Sequence, residues 1–330
     1  MKTKILITGG AGYIGSHVAA LLGEQGYPLV TYDNLSTGHR NSVLFGEFIE
    51  GDLDDLAKLE AVLINHKISD VIHFAGSIIV PESVIDPLKY YSNNSKNSMN
   101  LISLCLKHKI SRFIFSSTAA VYGMGSNMAM AETSPVAPIN PYGRSKLMTE
   151  WMLEDASRAH PQFKYVALRY FNVAGADLAG RLGQRSPMAT HLIKVAMQVA
   201  LGMRPHLDIF GTDYETPDGT CIRDYIHVAD LAAAHLAALN FLKDTKTNSS
   251  QIFNCGHGHG FSVREVISCI KKVTGIDFPV KEAARRAGDA SLLISTSDKI
   301  KQMTNWRPKY DDLELIVKSA YQWEQKLLSP

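Results

Sequence analysis

Tyr142 and Lys146 stand four positions apart in "NPYGRSKLMTE" (140–150), directly after a proline. Four apart on a helix means one turn on, along the same face. A free tyrosine has a pKa of about 10, so a tyrosine acting as base near neutral pH needs a shift of roughly 3 units, about 4 kcal/mol. A neighbouring ammonium favours the phenolate and supplies part of that shift. Thr118, at the end of "RFIFSST", stands where a hydroxyl would bridge Tyr142 and a bound hydroxyl group. Taken alone, the pair is a weak signal for which surface coincidence is the better reading, so the rest of the chain has to decide.

The first support is "ITGGAGYIGSH". Gly10, Gly12 and Gly15 match G-x-G-x-x-G, and Gly9 adds a second frame. Gly9 and Gly12 permit a tight turn and close backbone approach, and Gly15 allows close helix–strand packing. A dinucleotide pyrophosphate would then meet the positive helix N-terminus. Asp33 ends the next apolar run, 18 positions after Gly15. A carboxylate there accepts from the adenosine ribose hydroxyls and repels a 2′-phosphate, which favours NAD over NADP. Arg40, close by, offers a competing partner for such a phosphate. Asp52 in "EGDL" reads either as an adenine contact or as a helix N-cap. With NAD⁺ bound, the positive nicotinamide ring joins Lys146 in favouring phenolate at Tyr142, and Lys146 also reaches the nicotinamide ribose.

The elements that must hold these groups alternate through the first half. Strands are expected at 4–9, 28–33, 48–52, 70–76, from 112 and at 165–172; helices at 12–26, 56–66, 93–109 and 141–157. Apolar strands alternating with helices form a parallel sheet covered on both faces. The expected fold is α/β: a Rossmann-type doubly wound parallel sheet with a smaller C-terminal α/β substrate domain. The boundary falls near 174, giving 1–174 for the dinucleotide-binding part and 175–330 for the smaller one. In that second part helices are expected near 188–202, 229–242, 261–275 and 311–327, with an irregular segment at 206–228 and a polar loop at 243–251.

Composition narrows the partners. The chain has 330 residues, is 45% hydrophobic and carries a formal net charge of +2. That balance gives no electrostatic reason to expect nucleic acid or an acidic membrane. Cys105, Cys221, Cys255 and Cys269 are scattered without a C-x-x-C, which fits a reducing cytosol and argues against structural zinc or a disulfide framework. "MKTKILITGG" lacks the pattern of a signal peptide, and no window approaches a span of about 20 apolar residues. A cytoplasmic protein is expected. "GHGHG" (256–260) places His257 and His259 two apart with no evident third ligand, so no metal is expected. His73 reads as a satisfied structural histidine, and Cys221 and Cys255 as small buried residues.

In order, "GGAGYIGSH", "YDNLSTGHR", "EGDL", "VIHFAG", "FSSTAAVYG", "NPYGRSK", "RYFNVAGA", "GTCIRDYIHVADLA" and "RRAGD" resemble the extended short-chain dehydrogenases/reductases, and within them the UDP-hexose 4-epimerases, over nearly the whole chain. The resemblance implies interconversion of UDP-glucose and UDP-galactose by transient oxidation at C4 with tightly bound NAD, through a 4-keto sugar. Tyr142 is then the base, and Lys146 and Thr118 its partners. It implies Tyr13 and Ile14 at the pyrophosphate, and Asp33, Asn34, Leu35, Ser36, Thr37 and Gly38 along the adenosine ribose, with Asp52 and Leu53 near the adenine. Phe74, Ala75, Gly76 and Asn93 line the cofactor, and Phe171 lies near the nicotinamide. Asn172, His191, Leu192, Phe210, Arg223, Arg286, Asp289 and Leu293 match positions that hold the UDP-sugar, alongside Thr118 and Tyr142. Two arginines suit a diphosphate by charge and fork geometry; for Arg223 the competing reading is a local salt bridge with Asp224.

The chain departs from the family pattern in places. Ile78 replaces a frequent lysine after "HFAG", Thr118 a frequent serine and His191 a frequent asparagine. Leu293 stands where a tyrosine often limits the sugar pocket, so UDP-N-acetylglucosamine and UDP-pentose 4-epimerases stay open. A sugar-nucleotide dehydratase would carry an acidic pair after Thr118; Ala119 and Ala120 stand there. A net dehydrogenase or a dinucleotide sensor on the same fold are the other readings. The resemblance also implies a homodimer through the helices at 93–109 and 141–157; packing within one chain is the alternative.

Overall fold

The computed structural model describes residues 4–124, 128–186, 190–244, 249–286 and 289–328. The first part runs β1 (Ile5–Thr8), α1 (Tyr13–Glu24), β2 (Leu29–Asp33), β3 (Glu47–Glu50), α2 (Leu56–Asn65), β4 (Asp70–His73), α3 (Val80–Ile85), α4 (Pro87–Tyr90), α5 (Asn97–Lys107), β5 (Arg112–Ser116), α6 (Pro141–Ala159) and β6 (Lys164–Tyr170). The second runs β7 (Asn172–Ala174), α7 (Leu192–Ala200), β8 (Leu207–Phe210), β9 (Ile222–Arg223), β10 (Tyr225–His227), α8 (Val228–Lys243), β11 (Gln251–Cys255), β12 (Phe261–Ser262), α9 (Val263–Thr274), β13 (Val280–Ala283), β14 (Leu292–Leu293), α10 (Asp298–Met303) and α11 (Leu313–Leu328).

Among the described residues one sheet dominates, in the order β3-β2-β1-β4-β5-β6-β11. Every pairing in it is parallel. The first six strands follow the doubly wound dinucleotide-binding order, whose strand order reverses between β1 and β4 and leaves a crevice beyond their carboxyl ends. All four residues of β1 are buried, as a strand covered on both faces requires. Val18, Ala19 and Leu22 of α1 meet Leu231, Ala234 and Ala238 of α8 in one core, and Leu59, Leu101 and Leu153 of α2, α5 and α6 fill the other.

The expected boundary at 174 is not where the sheet ends. The chain leaves at β7 and returns with α8 and β11, which pairs Gln251–Cys255 with Val166–Tyr170. "QIFNC" is short, and its first residue sat inside the expected polar loop, so its apolar content gave no separate strand signal. The smaller part holds its own core of α7, α9 and α11 residues, with Ile193, Met197, Ile267, Ile270, Ile316 and Val317 buried. Local chemistry sets the helix ends. Asn140 caps α6 by accepting from Gly143 N at 2.8 Å, with Pro141 in the first turn. Ser262 and Glu265 form a reciprocal capping box on α9, closed by Gly275 at φ +70°.

Two expected helices are shorter. The 93–109 segment is α-helical only from Asn97, because Tyr91–Lys96 winds as a π-helix. The 188–202 segment is α-helical over Leu192–Ala200, and residues 188–189 lie outside those described. Residues 245–248 of the polar loop do too. Among the described residues no helix is long and apolar enough to cross a membrane, and all four cysteines are free.

Candidate active site

The glycine loop joins the end of β1 to α1, beside the end of β4. A side chain on Gly9, at φ +71°, would strike Ala75 N at 2.5 Å, and one on Gly15 would strike Gly9 O at 2.3 Å. Both positions therefore exclude any Cβ, and the 9–12 turn and the 74–76 turn touch through backbone. Gly12 is the N-cap of α1; no side chain caps that end, and no acid stands in its first turn. Those uncapped amides and their dipole are free to meet an anion. Tyr13 donates its hydroxyl to Gly175 O at 2.6 Å, tying the loop to the second part, and Ile14 packs on the core. A side chain on Gly38 would meet Ala11 C at 2.9 Å, so the 34–38 loop lies against the same turn.

Asp33 is buried, with Oδ2 accepting from Ala11 N at 2.9 Å and Oδ1 from Leu35 N at 2.8 Å. Burial raises its pKa, and the two amides pull it back. Leu35 takes φ +57°, which turns the 34–38 loop over this carboxylate. Asn34 donates to Asp52 Oδ2 at 2.7 Å and accepts from Ser36 N at 3.0 Å. The helix-cap reading of Asp52 fails: Asp55 caps α2, accepting from Lys58 N. Ser36 and Thr37 are exposed, while Leu53 is spent in the core. Arg40 lies over the Phe48 ring at 4.6 Å.

Across the crevice, Thr118, Tyr142 and Lys146 converge and are all at least nine-tenths buried. Burial raises the pKa of Tyr142, and a hydrogen bond with the Thr118 hydroxyl lowers it. The Lys146 ammonium donates to Ser116 O at 3.0 Å and lies 5.0 Å above the Phe115 ring. Burial brings the pKa of Lys146 down to about 8. A side chain on Gly76 would come within 3.6 Å of Lys146 Nζ, so the 74–76 turn borders the ammonium. Phe74 packs on His235 with ring centroids 4.8 Å apart. Asn93 donates to Ser77 Oγ at 2.9 Å, and Ile78 is half exposed.

Several residues that hold this arrangement escaped the sequence reading. Asn94 accepts from Ser77 N at 2.7 Å and donates to Ser145 Oγ at 3.0 Å, linking the 77 loop to α6. Glu150, one turn beyond Lys146, pairs with Arg169 of β6, both under 5% exposed. Arg169 donates to Tyr122 Oη at 3.0 Å, and Tyr122 donates to Asn254 Oδ1 of β11 at 2.7 Å. The 142–146–150 spacing was the available signal for Glu150. His73 is satisfied on both nitrogens, by Thr8 at 2.7 Å and Ser98 at 2.8 Å, as expected of a structural residue.

A second group assembles from residues far apart in sequence. Arg286 lies 4.6 Å over the Phe210 ring and donates to Asp289 Oδ2 at 2.8 Å; Asp289 Oδ1 is 3.8 Å from Arg223. The competing reading, a local Arg223–Asp224 bridge, gives way to this one. Asp224 is fully buried, turned away to accept from His257 N at 2.9 Å and Ser295 Oγ at 2.7 Å. In the β9–β14 pairing Leu293 stands opposite Arg223 and packs on the cluster of Tyr122, Leu147 and Phe171. Phe171 stacks on Tyr122, and Asn172 N donates to Asp224 O at 3.0 Å. Leu293 thus joins the arginine cluster to the tyrosine side. His191 and Leu192 stand at the start of α7, His191 as its N-cap. His191 Nδ1 is 3.2 Å from Gln184 Nε2, and burial lowers its pKa.

Residues 5–256 match the NAD dependent epimerase/dehydratase family. UDP-glucose 4-epimerase of Azospirillum brasilense is 53% identical over 325 residues, covering 98% of this chain and 92% of that one. The UDP-Glc/GlcNAc 4-epimerase structure from Campylobacter jejuni is 55% identical with a TM-score of 0.87, covering 98% of this chain and 99% of that one. UDP-glucose 4-epimerase from Brucella ovis, solved in complex with NAD, is 46% identical with a TM-score of 0.93 and 97% coverage of both chains.

Proposed function

The chain belongs to the NAD dependent epimerase/dehydratase family, and from that premise we propose that it interconverts UDP-glucose and UDP-galactose, with NAD as a retained cofactor and Tyr142 as base. One observation carries the reading: Leu293 pairs with Arg223 on one side and packs with Phe171 on the other, which supports a single site between the tyrosine group and the arginine group. The uncapped start of α1, the side-chain-free contact at Gly9 and Gly15, and buried Asp33 fit a dinucleotide. Bound NAD supplies a reversible hydride acceptor for the sugar C4 and a positive ring.

The chain's own part is position and charge. Tyr142 removes the proton from the sugar 4-hydroxyl, and Thr118 stabilises the phenolate by hydrogen bonding. Lys146 holds the nicotinamide ribose. Arg223 and Arg286 grip the diphosphate, with Asp289 keeping both forks aligned and Phe210 flooring Arg286. Anchoring the nucleotide while leaving the sugar free would let the sugar present either face of C4 to the hydride chemistry that bound NAD would supply. Ala119 and Ala120 lie in the short turn after Thr118 and offer no acid, which disfavours dehydration.

Leu293 favours a second substrate: a side chain smaller than tyrosine beside Phe171 leaves room for an N-acetyl group, so UDP-N-acetylglucosamine is also turned over. A second copy of the chain pairs through the α3–α6 face, where Val84, Ile85, Leu88 and Trp151 are each more than half exposed. The free, mostly buried cysteines suit the cytoplasm. The proposed division is into a dinucleotide part and a UDP-sugar part, with α8 and β11 belonging to the first.

The test is purified protein with UDP-galactose and coupled detection of UDP-glucose, followed by UDP-N-acetylglucosamine. Absence of turnover on every UDP-sugar would overturn the reading. Accumulation of reduced nicotinamide in step with substrate loss would make the protein a dehydrogenase instead.

A further inference from the structure

We propose that His257, His259 and Asp311 bind one divalent transition-metal ion of the zinc class, with Asp230 orienting His257. The two histidines come from the glycine-rich turn after β11. The third ligand was hidden from the sequence because it lies 52 residues further on, just before α11. Asp311 Oδ1 is 2.7 Å from His259 Nε2 and 3.0 Å from His257 Nδ1, and one ligand atom from each residue lies within 4.8 Å of the other two. Metal–ligand distances of about 2.0–2.2 Å place tetrahedral ligands about 3.3–3.6 Å apart. Seating an ion therefore asks Asp311, which is 40% exposed, to withdraw by roughly half an ångström.

A second observation points to the ion independently. The His257 side chain is 1% exposed, yet its Nδ1 makes no hydrogen bond. Its other nitrogen lies 3.3 Å from Asp230 Oδ2. Asp230 is itself fixed, accepting from Lys309 N at 2.8 Å and Tyr310 N at 2.9 Å. An Nε2–H directed at Asp230 leaves a lone pair on Nδ1, with an Asp311 oxygen 3.0 Å away. Two lone pairs that close repel, and a cation between them reverses the sign. Carboxylate, histidine and metal in line is the usual outer arrangement of a metal-bound imidazole. Two imidazoles and one carboxylate suit zinc, nickel or copper rather than magnesium or calcium. His259, 48% exposed, and Asp311 leave an entry path and room for a water as fourth ligand.

The same turn holds the residue beside Arg223. His257 N and Gly258 N donate to the two Asp224 oxygens at 2.9 and 3.1 Å. An ion on the turn braces that clamp without touching the proposed chemistry.

The experiment uses the full chain, stripped with chelator and dialysed against Zn²⁺ or Co²⁺ at pH 7, with bound metal counted by mass spectrometry. The expected result is one equivalent on the parent protein and visible Co²⁺ absorption of tetrahedral intensity. His259→Ala and Asp311→Asn, both at half-exposed side chains, lose the cobalt spectrum and bind zinc at least ~10-fold more weakly. A parent that retains no metal overturns the proposal, as does equal binding by both variants. So does nitrogen NMR showing His257 doubly protonated with zinc present, since a proton would then be the bridging cation. None of these readouts depends on sugar turnover.

Discussion

Ser117 Oγ donates a 2.5 Å hydrogen bond to Glu150 Oε1, fastening the residue beside Thr118 to the helix that carries Tyr142 and Lys146. Arg169 Nε meets the same oxygen at 3.0 Å and its NH2 meets the other at 2.5 Å. One buried carboxylate therefore ties the end of β5, helix α6 and strand β6 together, and Tyr122 and Asn254 extend the tie to β11.

Removing that charge leaves a buried guanidinium without its anion. Glu150→Gln is expected to cost about 3–5 kcal/mol of stability, read by urea denaturation, and to lower turnover with little change in UDP affinity. A variant as stable as the parent would show the network to be incidental to the fold. Arg169→Met with Glu150→Leu removes both charges and should recover most of the stability.

Thr118 hydrogen-bonds Tyr142 and lowers its pKa against the effect of burial. Thr118→Val removes the group that favours phenolate, so the Tyr142 pKa rises and the acid limb of the kcat–pH profile moves to higher pH. Thr118→Ser restores it. Tyr142→Phe keeps binding of nucleotide and UDP-sugar and loses most turnover; near-normal turnover removes Tyr142 from the proposed chemistry.

Lys146 has a folded pKa of about 8 against 10.5 when free. Below pH 8 it is charged in both states, and the cost of burying that charge is fully present. Between the two values the folded form is neutral while the unfolded form still binds a proton, so stability rises with pH. Cofactor-free Lys146→Met should thus exceed the parent at pH 7 by up to about 3 kcal/mol. The gap should narrow by pH 10 in paired denaturation curves, and a gap independent of pH would contradict the buried-ammonium assignment.

Leu293→Tyr places bulk beside Phe171. Activity on UDP-N-acetylglucosamine is expected to fall at least ~10-fold while UDP-glucose is spared. Equal losses on both sugars would count against Leu293 as the size limit.

Arg286→Ala takes away one guanidinium and uncovers Phe210. The KM for UDP-sugar and the calorimetric Kd for UDP are expected to rise about tenfold or more with kcat nearly unchanged. Arg286→Lys should recover only part, because an ammonium lacks the planar fork. A drop confined to kcat would move Arg286 out of the anchoring role.

The parts legible in the sequence were those written in local pattern. Glycine spacing, one acid at a strand end and a tyrosine four residues before a lysine located the cradle and the buried triad. The first six strands followed from their apolar runs. What stayed hidden depends on distance along the chain. Whether Asp52 or Asp55 caps α2 turns on a three-residue difference that spacing does not weigh. Arg223 found Asp289 rather than its neighbour Asp224 because β9 and β14 pair only in the folded chain. Asn94 and Asp311 matter through partners 51 and 52 residues away. The π-wound turn at Tyr91–Lys96, which brings Asn93 and Asn94 to the 77 loop, has no sequence pattern distinct from an ordinary helix.

The lateness of β11 also governs how the protein is made. Until residue 255 has left the ribosome, β6 offers "KYVALRY" with one row of amides and carbonyls unpaired, and α1 lacks the apolar face of α8. Such an open, apolar strand is a template for another chain. A fragment ending at the seemingly natural break near 174 would present that template permanently and should aggregate. The nucleotide cradle, although encoded almost entirely in the first third of the sequence, becomes a finished shape only when three quarters of the chain has been synthesised.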